Sequence, residues 1–151
     1  MSAKGSRGAN LHQGETITLF AAAARAVGAA VVSASFDLGG ERRRFSIVNA
    51  ITASATDAGD TLDVYVDFSL DNATWYNAVH FTQQAGNGAA RTEFATLDPT
   101  NPGAVVVNIT ADAAAGAVRP GVFGRYIRGR YTIVDADANA SHTFSLIAYA
   151  Q

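Results

Sequence analysis

The sequence predicts an all-β domain, an antiparallel two-sheet β-sandwich with an extended N-terminal arm. Three observations predict it. Residues 61–70 alternate strictly between apolar and polar side chains, the period-two pattern of a strand with two unlike faces. Short apolar or β-branched runs recur between turn signals such as Gly39-Gly40, Asp71-Asn72 and the stretch DPTNPG, the spacing of a sandwich or barrel. The segment with clear helical propensity, AAAARAVG at 21–28, is too short to hold a helix alone.

Residues 1–14 (MSAKGSRGANLHQG) are polar, Gly-rich and without periodicity, so they read as an arm outside the core. Residues 15–151 form the single domain. Residues 15–20 alternate Thr with apolar residues, and 21–28 read as a turn or one helical turn. Residues 30–38 are a strand closed by the Gly pair, and 42–53 are a longer strand with Phe45, Ile47 and Ile51 facing inward. In 61–70, Leu62, Val64, Val66, Phe68 and Leu70 are expected inside, with Asp63, Tyr65, Asp67 and Ser69 on a wet face. An Asx-rich turn follows, and 75–83 return as the hairpin partner with Trp75, Val79 and Phe81 as core candidates. Residues 91–97, 104–110 (AVVVNIT), 122–134 and 142–149 complete a set of eight or nine strands. A jelly roll and an immunoglobulin-like sandwich share this pattern, so the sandwich type stays open.

Composition narrows the function. Charged residues are 16% of the chain and the net charge is −2, which argues against general nucleic-acid binding. Ten of the eleven basic residues are Arg, Lys4 being the one Lys. Arg favours interfaces because its planar fork pairs carboxylates and stacks on rings; a coding bias toward Arg and Ala gives the same composition. There is no Cys, hence no disulfide, thiolate metal site or Cys nucleophile. The N-terminus lacks an apolar h-region and no run approaches a membrane span, so neither a signal peptide nor a membrane partner is expected.

The chemical candidates fail on spacing. His12, His80 and His142 lie in separate segments with no metal-binding spacing. Asp135-x-Asp137-x-Asn139 opens like a calcium loop but has Ala140 and Leu146 where Gly and Glu are needed. Gly86-x-Gly88 lacks a third Gly and a strand-to-helix setting. Asp63 and Asp67, four residues apart on one strand, would be ~13 Å apart, too far for a glycosidase pair. No enzyme activity, cofactor or metal is therefore expected. Trp75 and Tyr76 follow a loop; one of them must face away from the core, giving a candidate exposed platform for a sugar. Arg42, Arg43 and Arg44 are the densest charge cluster, and with Arg125, Arg128 and Arg130 they would form a basic patch for a neighbouring acidic surface, or protect a strand edge.

The stretches DLGGERRRFSIV and TLDVYVDFSLDNATWYNAVHFTQ, with the late strands RYIRGRYTIV and HTFSLIAYA, resemble small structural proteins of tailed bacteriophages, among them head decoration (cement) proteins. The likeness spans most of residues 15–150. It implies a virion component on the capsid exterior that binds the major capsid protein, self-associates as a homotrimer and stabilises the lattice. The interface would then be the arm (Lys4, Arg7, Leu11, His12) and Arg42–Arg44. Neck or tail proteins of phages, and a carbohydrate-binding adhesion module using Trp75 or Tyr76, are the alternatives.

Overall fold

A computed structural model describes residues 14–26, 28–39, 44–54, 57–100, 106–134 and 141–151. Among these, eleven strands form two antiparallel sheets that pack face to face. The smaller sheet has the order β1-β11-β4-β8. Its strands are β1 (Glu15–Arg25), β11 (His142–Ala150), β4 (Phe45–Ser54) and β8 (Arg91–Leu97). The larger sheet runs β2-β10-β5-β6-β9. These are β2 (Gly28–Val32), β10 (Tyr126–Val134), β5 (Thr61–Ser69), β6 (Trp75–His80) and β9 (Ala117–Val118). Two short strands extend it: β3 (Phe36–Asp37) beside β10 and β7 (Gln84–Ala85) beside β5. The two-sheet β-sandwich is the predicted architecture.

The core comes from the alternating inner residues of both sheets. Phe45, Ile47 and Ile51 of β4 are buried, as the sequence predicts, and meet Leu62, Val64, Val66 and Phe68 of β5. The rings of Phe45 and Phe68 bridge the sheets, 5.6 Å apart and edge-on. At the other end, Phe20, Tyr131 and Phe144 form an edge-to-face cluster with centroids 5.1–6.0 Å apart, a geometry favoured by the ring quadrupole. Arg25 closes this end: its guanidinium lies 4.5 Å from the Phe144 centroid and donates to the Phe144 carbonyl at 2.8 Å. Gly129 sits where the layers come closest. A Cβ there would meet Phe20 at 2.8 Å and Leu146 at 3.0 Å.

Several segments depart from the sequence reading. The Ala-rich run at 21–25 is strand, not a turn or helical turn: β1 continues through it, and Ala23, Ala24 and Arg25 pair with Phe144, Thr143 and His142 of β11 after a register shift. A ladder partner outweighs a weak helical preference. The strand expected over 30–38 is split into β2 and β3. Residues 106–110 of the β-branched run carry no strand, and Val106 is 87% exposed. Leu70 lies past the end of β5 and is 68% exposed, not inside.

Candidate functional site

The largest correction concerns the face of β5 read as wet. Asp63, Tyr65, Asp67 and Ser69 are all buried. Register explains what covers them. On one side, antiparallel pairing sets Arg128 opposite Asp67 and Arg130 opposite Tyr65. On the other, a bulge in β6 sets Asn77 opposite Asp67 and His80 opposite Tyr65, all on the outer face of the sheet.

Asp67, 2% exposed, is the hub. It accepts from Arg130 Nε at 2.9 Å, from Asn77 Nδ2 at 3.1 Å and from Arg128 Nε at 3.4 Å. Arg130 also grips Asp112 at 2.7 Å and stacks 4.0 Å from the Tyr65 centroid. Burial works against its charge, but the Asp67 and Asp112 carboxylates overcome that and raise its pKa above the ordinary arginine value. Burial, reinforced by the nearby Asp63 carboxylate, pushes the Tyr65 phenol up to about 12. His80 stacks on Tyr65 with centroids 4.2 Å apart, its Nε2 2.8 Å from Asp63 and its Nδ1 2.7 Å from the Ala113 carbonyl.

The segment that leads into β9 is thereby tied to the outer face of the sheet, and β9 itself pairs backbone to backbone along β6. Ala113 N–H donates to Asn77 Oδ1 at 2.9 Å, Gly116 N–H to the His80 carbonyl at 2.8 Å, and Arg119 N–H to the Ala78 carbonyl at 2.7 Å. Buried acids and bases normally hint at chemistry. Here Asp63, Asp67, His80 and Arg130 each have an internal partner. Among the described residues no group of three or more His, Asp or Glu is placed to hold a metal ion.

The basic patch expected from six arginines does not assemble among the described residues. Arg44 pairs with Asp98 at 3.0 Å, Arg125 forks onto Asp37 at 2.8 and 2.9 Å, and Arg128 and Arg130 serve Asp67. The Arg125 pair holds the Asp37 carboxyl down at about 2. Arg42 and Arg43, the arm residues Lys4, Arg7, Leu11 and His12, and the 135–139 turn lie outside the described residues. Of the arm only Gly14 is described, and a Cβ on it would fall inside the Tyr149 ring.

Trp75 and Tyr76 point to opposite faces and both are half-buried; Trp75, a core candidate from the sequence, lies on the outer face, and Tyr76 takes the core side. The Arg128 guanidinium covers the Trp75 ring at 4.3 Å. Tyr76 packs against the core and lines an open apolar depression of about 210 Å³ with Leu70, Val107, Ile109, Val122 and Phe123.

The outer face of the smaller sheet is the opposite of the strapped one. Pairing aligns Thr18, Ile147, Val48 and Phe94 in one row across all four strands. The next row is Thr16, Tyr149, Ser46 and Thr96. On the other side of the central row lie Ser145, Ala50 and Thr92. None of these side chains is charged. Phe94 is 66% exposed, and Ile147 and Tyr149 are exposed as well.

Comparison with known proteins finds no matching family model, no matching curated protein and no matching solved structure.

Proposed function

We propose that this chain is a structural contact protein, a virion decoration protein that binds the outside of a capsid lattice and stabilises it. The observation that carries the reading is the division of labour between the sheets. The polar face of the larger sheet is closed by its own Arg, Asp and His side chains and a strapped loop. The smaller sheet presents a broad uncharged face with exposed Phe94 and Ile147. Charge depletion around exposed aromatic and aliphatic groups is the composition of an interface core. Many weak copies on a lattice would hold through avidity. The resemblance to phage structural proteins, carried by the residues quoted above, points to the same class. The Arg128 cover on Trp75 favours contact over a sugar platform.

The test is mass spectrometry of gradient-purified virions from the source culture. This reading expects the chain as a high-copy capsid-bound component, and deletion of residues 1–14 to leave a folded domain that no longer stays on particles. Finding the chain only among unassembled proteins overturns it. A glycan array on which binding depends on Trp75 or Tyr76 would move the assignment to the adhesion reading.

A further inference from the structure

We propose that the uncharged outer face of the four-stranded sheet docks onto the same face of a second copy of this chain. The inference rests on the reading of this face as a contact surface, and commits the face to a second copy of the chain rather than to the lattice.

The first argument is charge. A symmetric pair brings like groups together around the two-fold axis, so any charge near the axis faces its own copy. Two rows across β1, β11, β4 and β8 and a third across β11, β4 and β8 carry Thr, Ser, Ala, Val, Ile, Tyr and Phe and no charge. Such a face meets itself without repulsion. It also offers nothing to a partner chosen by charge, in a chain whose charges elsewhere sit in pairs such as Arg44–Asp98 and Arg125–Asp37.

The second argument is placement. The three largest apolar side chains of the central row, Ile147, Val48 and Phe94, occupy adjacent strands β11, β4 and β8. The exposed Arg44–Asp98 pair sits at one end of β4 and β8, outside the rows. An apolar centre with a charged margin is interface anatomy.

The third argument is size. Four strands ~4.8 Å apart and about eight residues long give a face of ~19 by ~26 Å. Two such faces bury ~1,000 Å², the lower bound for a specific interface. Sheets stack ~10 Å apart through side chains of this bulk. The larger sheet cannot offer an equivalent face, because Arg130, Asp112 and Ala113 already cover it.

Sedimentation velocity over about 1 µM to 1 mM tests the proposal on the whole chain. The wild type is expected to dimerise. Ile147→Lys and Phe94→Asp, at exposed positions, are each expected to weaken self-association at least a hundredfold while keeping the wild-type melting profile. Mixing Ile147→Lys with Ile147→Glu is expected to restore a dimer that neither variant forms alone. The chain has no Cys, so Val48→Cys adds a single thiol, and its disulfide-linked dimer under oxidant gives a readout if a charged variant fails to fold. A wild type that stays monomeric throughout, or an oligomer unaffected by Ile147→Lys and not cross-linked through position 48, overturns the proposal. A wild type that is monomeric in solution but bound to virions would leave the decoration reading standing while this one falls.

Discussion

Replacing Arg130 with Met is the sharpest probe of the strapped face. The change removes the Arg130 bonds to Asp67 at 2.9 and 3.3 Å and to Asp112 at 2.7 and 3.2 Å, together with the cation over Tyr65. Asp67, 2% exposed, is left with Asn77 at 3.1 Å and the longer Arg128 contacts at 3.4 Å. Opening one side of a buried ion pair costs about 3–5 kcal/mol. Arg128 lowers that by retaining a cation near the carboxylate, while the lost ring contact adds about 0.5–2 kcal/mol. The Asp112 pair, with an exposed partner, adds about 0–1 kcal/mol. A net loss of about 3–4 kcal/mol follows, and at roughly 2–4 °C per kcal/mol for a chain of this size the melting temperature drops by about 6–16 °C. Denaturant unfolding of Arg130→Met, Asp67→Leu and the double variant measures it. The double variant is expected to lose less than the sum of the singles, since no charge is left orphaned. A single-variant loss below about 1 kcal/mol, the scale of a surface pair, or strict additivity would refute the hub.

Three further outcomes follow from local geometry. Gly129→Ala is expected to cost about 1–3 kcal/mol in chemical denaturation, because its Cβ meets Phe20 and Leu146 within 3.0 Å in a packed core. Asp71→Ala is expected to lower stability, because Asp71 accepts from the Ala73 and Thr74 amides at 2.9 and 2.7 Å; those bonds hold its carboxyl at about 2, so the loss, read by thermal melting, should shrink as pH falls from about 4 toward 2. Burial lowers the His142 pKa, with the Asp60 charge opposing it; the unfolded chain therefore binds a proton first, so stability is full above about pH 6.5 and falls below it by at most ~1.4 kcal/mol per pH unit. Comparing wild type with His142→Gln from pH 7.5 to 5 should remove that part of the slope.

The fold was legible because the core-facing half of each strand carries its own signal. The apolar row Leu62, Val64, Val66 and Phe68 and the trio Phe45, Ile47 and Ile51 could be placed inward from alternation alone. Alternation says which face is apolar, and is silent on whether the other is wet. Asp63, Asp67 and Tyr65 looked solvated because their cover comes from side chains of the neighbouring strands, Arg128 and Arg130 of β10 and Asn77 and His80 of β6, held in turn by Asp112 and Ala113. A signal was present: Asp63 and Asp67 share one face of β5, Arg128 and Arg130 share one face of β10, and pairing sets Arg128 opposite Asp67 and Arg130 opposite Tyr65. Asn77, His80, Asp112 and Ala113 joined that network with no sequence mark beyond polarity. The Ala-rich end of β1 misled because helical preference is local, whereas its pairing with β11 spans more than a hundred residues.

The two outer faces also divide the energetics of the molecule. On the larger sheet the buried charges depend on one another: Asp67 without Arg130 keeps only Asn77 and the longer Arg128 contacts, and Arg130 without Asp67 keeps only Asp112 and the Tyr65 ring. That set fixes the 106–119 strap and spends the recognition capacity of every group in it. On the smaller sheet nothing of the kind exists. Ile147, Val48 and Phe94 keep apolar area exposed there, worth about 25 cal/mol per Å² if buried. Among the described residues, one sheet face is closed by charge pairs and the other is left uncharged. Substitutions in the Asp67 hub should therefore act on stability, and substitutions in the Ile147 row on association, with little crossover between the two readouts.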